Sequence, residues 1–179
     1  MLRRLLPILL VPLTLIAHAA PATDPLADAL RTLETGRHQQ GIRMLTPLAN
    51  GGNAFAQYRL GMLYYHGQGI GEDEKMAIYW WKKAAAQGNV ESMFQLGSAF
   101  LFGSQTAKFV PDPDREAAMW YFQAASAGHV EAQYHLGLLF LAGKGVVENR
   151  QESARWMQKA AAQGHPEAKR ALPKVDTSR

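Results

Sequence analysis

Four glycines constrain this chain more than any other feature. Gly52, Gly88, Gly128 and Gly164 are spaced by 36, 40 and 36 residues, and each follows a similar string. The strings are YWWKKAAAQGN at 79–89, MWYFQAASAGH at 119–129 and RWMQKAAAQGH at 155–165. A second string repeats in the same register: AQYRLGMLYYHGQG at 56–69, SMFQLGSAFLFGSQ at 92–105 and AQYHLGLLFLAGKG at 132–145. Two strings in phase at a period of this length define stacked supersecondary units.

Each unit reads as two helices. Ala56, Leu60 and Leu63 recur at i, i+4 and i+7, the spacing of one helical face. Gly67 and Gly69 end that helix, as Gly143 and Gly145 do in the last unit. Ala77, Trp80, Trp81 and Ala84 repeat the helical spacing, and Gly88 stands where a left-handed residue stops the helix. Two helices cannot bury both their apolar faces, so each unit is covered by the next. The repeating core is therefore expected at Leu60, Trp80 and Ala84, at Leu96, Trp120 and Ala124, and at Leu136, Trp156 and Ala160. The tryptophans are its large plugs, and truncating one to alanine should cost about 3–5 kcal/mol.

The ends depart from the pattern. Asp24 and Pro25 suit the N-cap and first position of a helix, which Leu26, Leu30 and Leu33 continue and Gly36 ends. RMLTPLANGGN at 43–53 is a degenerate copy of the tryptophan helix, bent by Pro47. Residues 24–53 thus read as a capping unit ahead of repeats at 54–89, 90–129 and 130–165. Residues 166–172 read as a partial closing helix, and 173–179 as a frayed polar tail.

Residues 1–19 carry two arginines, an apolar run from Leu5 to Ala17, and Ala17-His18-Ala19. That is the layout of a secretory signal peptide cleaved after Ala19, and the expected location is the periplasm or the exterior. A retained anchor is the alternative, but the run is short and broken by Pro7 and Pro12, so no stable membrane insertion is expected after cleavage. Loss of Arg3 and Arg4 takes the formal net charge from +4 to +2. No tight Lys/Arg cluster remains, which speaks against nucleic acid. With 0 cysteines, disulfides, thiolate metal sites and thiol nucleophiles are excluded.

The combination AQYxLGxxY/FxxGxG, then WW or WY, KAAxQG and His or Asn, resembles the Sel-one-like repeat, a branch of the tetratricopeptide-like superfamily. The resemblance covers roughly residues 38–170. It implies an all-α fold, a right-handed α/α solenoid whose first helices line a concave groove, and a role in holding other proteins. The third loop departs from it. Gly103 to Pro113 holds four extra residues with Phe109 and Val110 near the tip, before Asp112 and Pro113 restart a helix. Lys108, Phe109 and Val110 either bind a partner, as loops on rigid scaffolds do, or fold back on the core.

No HExxH, GxSxG or phosphate-cradling glycine loop is present. His129 and His165 take the turn position that Asn53 and Asn89 hold, and His38 sits at a helix start. His66 and His135 lie on first helices without a ligand-spaced partner, so neither a metal nor any other cofactor is expected. Glu72, Asp73 and Glu74 suit the positive end of a helix dipole. The variable positions of the first helices are candidates for the groove: Arg59, Met62, Tyr65 and His66, then Gln95, Ser98 and Phe102, then His135, Leu138 and Leu141. The same positions could serve as ordinary core. The leading expectation is a periplasmic module that binds a protein or extended peptide, without catalytic residues. An immunity protein against a secreted toxin is the alternative, and an envelope hydrolase a third reading.

Overall fold

The computed structural model describes residues 24–175, so the leader read in 1–19 and residues 176–179 lie outside the described residues. Nine α-helices follow in order, with no strand among the described residues. They are α1 (Pro25–Glu34), α2 (His38–Asn50), α3 (Ala54–Tyr65), α4 (Glu74–Ala85), α5 (Val90–Phe102), α6 (Pro113–Ser126), α7 (Val130–Ala142), α8 (Arg150–Ala162) and α9 (Pro166–Val175). A 3-10 turn, Thr106–Lys108, lies between α5 and α6. Each helix packs mainly on its neighbours in sequence, the arrangement of an α/α solenoid. None is long and apolar enough to cross a membrane.

The helix boundaries follow from local chemistry. Asp24, Asn53, Asp73, Asn89, Asp112 and Asn149 each accept a backbone N–H at a helix start. His129 and His165 do the same with Nδ1, accepting from Ala132 and Ala168 at 3.1 Å in each case. The histidines at the turn position are thus N-caps, equivalent to Asn53 and Asn89. Gly52, Gly88, Gly128 and Gly164 have φ between 85° and 102°, the left-handed region that closes each second helix. α2 runs on through Pro47, whose missing donor falls in the last turn.

Eight of the nine expected core positions are buried; Trp120 is the exception, only half-buried. The deepest plugs are instead the next residues along: Trp81, Tyr121 and Met157, each at 0% exposure. Each lies against the glycine of the preceding helix's Leu-Gly pair. A Cβ at Gly61 would come within 2.3 Å of Trp81, one at Gly97 within 2.6 Å of Tyr121, and one at Gly137 within 2.8 Å of Met157. The glycines let a second helix lay its largest side chain directly on the first helix.

Two further findings concern the ends of elements. The closing helix extends to Val175 rather than 172, so 173–175 do not belong to a polar tail. Val175 is 3% exposed and packs with Met157, Ala160 and Ala168, and that burial carries the helix through Pro173. Of the three acids at 72–74, Asp73 is the N-cap, while Glu74 turns inward and is buried.

Candidate functional site

The first helices α3, α5 and α7 carry the candidate groove positions, and the structure brings some of them together. His135 of α7 lies at the centre of an aromatic nest. Its ring stacks on Tyr121 with centroids 5.2 Å apart and planes 7° from parallel. Tyr134, Phe94 and Phe102 stand around it at 5.8, 6.1 and 6.2 Å. Ser98 joins through a 3.0 Å hydrogen bond between its hydroxyl and that of Tyr121. Ser98, Phe102 and His135 therefore belong to one cluster spanning two units, and Phe102 remains 66% exposed above it.

The other candidates are more dispersed. Tyr65 sits 5.3 Å from both the His66 ring and the Trp81 ring, and His66 is exposed. Met62 and Tyr65 pack on the core cluster around Trp81, while Leu138 and Leu141 pack on the cluster around Met157. Arg59 and Gln95 are half-buried, and the Arg59 Nε is buried without a hydrogen-bond partner. Apart from the exposed His66, these side chains are half-buried.

Burial sets the electrostatics of the nest. It lifts the Tyr121 hydroxyl to about 12, with the Ser98 hydrogen bond pulling the other way. For His135 burial is again the largest influence and holds the imidazole below its usual range; Glu131 opposes this, while His165 and His129 add to it. Tyr58 and Tyr65 are likewise raised, chiefly by burial. With rings on its several sides and Ser98 engaged by Tyr121, His135 has the surroundings of a packing residue. The site offers apolar, stacking contact area with a few polar edges.

The inserted loop takes the second of its two readings. Phe109 and Val110 are half-buried against the cluster that includes Ala77, Ile78, Trp81 and Phe100, and Lys75 Nζ lies 5.3 Å from the Phe109 ring. Lys108 is exposed and donates to Gln105 Oε1 at 2.7 Å. The loop is anchored by Glu74, which accepts from the Ser104 hydroxyl, the Gln105 amide and the Thr106 hydroxyl at 3.1, 2.9 and 2.9 Å. Burial opposes ionisation of Glu74, but these hydrogen bonds together outweigh it and hold the carboxyl below its usual range. The apolar tip is spent on the fold. Among the described residues no group of three or more His, Asp or Glu side chains is placed to hold a metal ion.

Sequence reasoning missed a repeated clasp. Gln87 donates to Gln57 at 2.8 Å, and Gln163 donates to Gln133 at 2.8 Å. Gln57 and Gln133 in turn donate to the carbonyls of Ala49 and Ala125 in the preceding unit. The signal was present within the chain: the middle unit has Met93 and Ala127 at these positions, so both glutamines are kept or lost together.

Stacked two-helix units with a side-chain-lined first-helix face define a helical-repeat binding scaffold. The Sel1 repeat model matches residues 54–89, 90–129 and 130–165, and the chain belongs to the Sel1 repeat family. The crystal structure of a Sel1 repeat protein from Oxalobacter formigenes superposes with a TM-score of 0.74 at 28% identity, covering 82% of this chain and 59% of that one. Helicobacter pylori cysteine rich protein B shares the fold, with a TM-score of 0.55 at 19% identity over 86% of this chain and 100% of that chain. The ERAD-associated E3 ubiquitin-protein ligase component HRD3A of Arabidopsis thaliana is 30% identical over 99 residues, 50% of this chain and 15% of its own length. This chain therefore spans only part of the Oxalobacter formigenes protein and of HRD3A. Sel1 repeats are protein–protein interaction modules, and that coarse role follows from membership.

Proposed function

We propose that this chain is an exported periplasmic adaptor that holds a partner protein or an extended peptide in the groove of its first helices. The observation that carries the reading is the aromatic nest around His135, crowned by the 66%-exposed Phe102. A large exposed aromatic on a rigid, packed base is the kind of group on which binding energy concentrates. The layout of residues 1–19 supports export, with cleavage after Ala19.

The test is capture from periplasmic extract with residues 20–179 as bait, identified by mass spectrometry. A His66→Ala, Gln95→Ala, Phe102→Ala variant runs beside it. His66 and Phe102 are exposed and Gln95 is half-buried, whereas the half-buried Tyr65 and Leu138 pack against core clusters, where truncation would also cost stability. The expected result is a partner retained by the parent and lost by the variant. Identical captures with both baits would overturn the groove assignment. A captured toxin would make the chain an immunity protein instead of an adaptor. Fractionation with N-terminal sequencing checks export, the expected mature start being Ala20.

A further inference from the structure

The first-helix face holds one charge that the fold leaves without a partner. Arg59 is the only lysine or arginine on α3, α5 and α7. Its side chain is half-buried, and its Nε is covered without a hydrogen-bond partner. Its guanidinium enters no ion pair among the described residues.

The acids that could neutralise it are engaged elsewhere. α3 contains no acid and packs mainly on α2 and α4. α2 has none either, and the single acid of α4, Glu74, accepts three hydrogen bonds from residues 104–106 of the inserted loop. On the neighbouring first helices Glu91 stands 3.5 Å from His129 Nε2, and Glu131 stands 3.2 Å from His165 Nε2. Glu91 is near enough to act with Arg59 on one group: burial chiefly raises the Tyr58 hydroxyl, Glu91 adds to this and Arg59 opposes it. Glu91 nonetheless reaches the imidazole and not the guanidinium.

The fold does not require a cation at this place, since Gln95 and His135 hold it in the next two units. A guanidinium partly withdrawn from water and lacking a counter-ion gains from a carboxylate, because folding has already met part of the desolvation cost. We propose that Arg59 receives a carboxylate of the segment held in the first-helix groove, with an apolar side chain of that segment lying on Phe102 one first helix further along. This rests on the groove reading above and adds the chemistry of the occupant. The two terminal nitrogens of Arg59 are the ones a carboxylate reaches, since Nε is covered.

Fluorescein-labelled peptides test this by anisotropy on the full chain. Each has a phenylalanine and an aspartate separated by three to five alanines, with blocked ends. Twins carry asparagine for the aspartate, and a second set ends in a free carboxylate at that place, which separates a chain terminus from an acidic side chain. A carboxylate peptide of matching spacing should bind about tenfold or more tightly than its asparagine twin. Arg59→Gln, which installs the residue of the next unit, should remove that advantage, leave the asparagine peptide unchanged and melt no lower than the parent. Arg59→Lys should keep only part of it, because an ammonium cannot bind both oxygens in the guanidinium's fork. Phe102→Ala should weaken all the peptides alike, by about tenfold.

If carboxylate and asparagine peptides bind the parent alike and Phe102→Ala weakens both, the groove stands and the carboxylate inference falls. If the Phe102 variant binds as the parent does, the groove reading falls and this inference with it. The inference also falls if no peptide binds or if the carboxylate advantage survives Arg59→Gln. A sharp drop in the melting temperature of Arg59→Gln would make Arg59 a packing residue and overturn it as well.

Discussion

At the scale of single residues, one position is read three ways by the repeat: Arg59, Gln95 and His135 occupy the same place in successive units. Only the last is an imidazole, and it lies inside an aromatic nest. Burial lowers the His135 pKa, with Glu131 opposing and His165 and His129 reinforcing. A base whose folded pKa lies below its unfolded value binds fewer protons in the native state, so stability rises with pH across that window. His135 therefore contributes stability that is fully present above the ordinary histidine value of about 6.5 and lost as pH falls through its lowered folded value. His135→Gln, which installs the residue of the preceding unit, removes this contribution to the pH dependence. Melting temperatures of parent and variant, measured from pH 8 down to about pH 5, should converge as pH falls. A constant difference would show that the stacking on Tyr121 matters and the proton does not.

At the scale of the element, the Leu-Gly pair of each first helix and the plug of each second helix form one contact. Adding a methyl at Gly61 or Gly97 drives it into a planar ring held at 0% exposure, and the ring cannot retreat. At Gly137 the nearest atoms are the Met157 Cγ at 2.8 Å, on an unbranched chain more adaptable than a ring, and the Ser153 carbonyl oxygen at 3.2 Å. Gly61→Ala and Gly97→Ala should each cost about 1–3 kcal/mol from overpacking, against a helix-propensity gain of up to about 1 kcal/mol. Gly137→Ala should come out closer to neutral. Chemical denaturation of the three variants orders them, and a Gly137 variant as unstable as Gly97→Ala would defeat the explanation.

That contact also marks what the sequence made legible. The helices, their caps and their glycine stops were readable because each repeats the same residue or a chemical equivalent. The deepest plug was not, because Trp81, Tyr121 and Met157 share only size, and identity drew attention to the neighbouring Trp80, Trp120 and Trp156. The groove was legible as a set of positions but not as a cluster. Phe102 meets His135 across two units, and Ser98 joins them through Tyr121, a residue of a second helix that the first-helix pattern could not place. The place of Glu74 at a helix start was legible, but its inward turn was not, because a carboxylate there suits the dipole equally well whether it points out or in.

At the scale of the whole molecule, a solenoid has two open ends, and each must be closed by something other than a full unit. α1 and α2 close the first, packing Leu26, Leu30, Leu33 and Leu45 against Leu60, Leu63 and Trp80. α9 closes the second. It covers Met157 and Ala160 with Ala168, Ala171, Leu172 and Val175, and its start is fixed by the His165 cap. His165 also ties this end back to the preceding unit, its Nε2 standing 3.2 Å from Glu131 and its ring stacked 4.4 Å from Tyr134. A chain ending at Gly164 loses all of these contacts and uncovers Met157. Losing the burial of roughly two large apolar side chains, at about 1.5–3 kcal/mol each, should cost about 3–6 kcal/mol. That is enough to lower the melting temperature sharply and leave an apolar end that self-associates, whereas a chain ending at Val175 should melt as the parent does. Calorimetry and sedimentation velocity on the two truncations check this. Equal melting of the Gly164 truncation and the parent would mean that α9 rests on the solenoid without closing it.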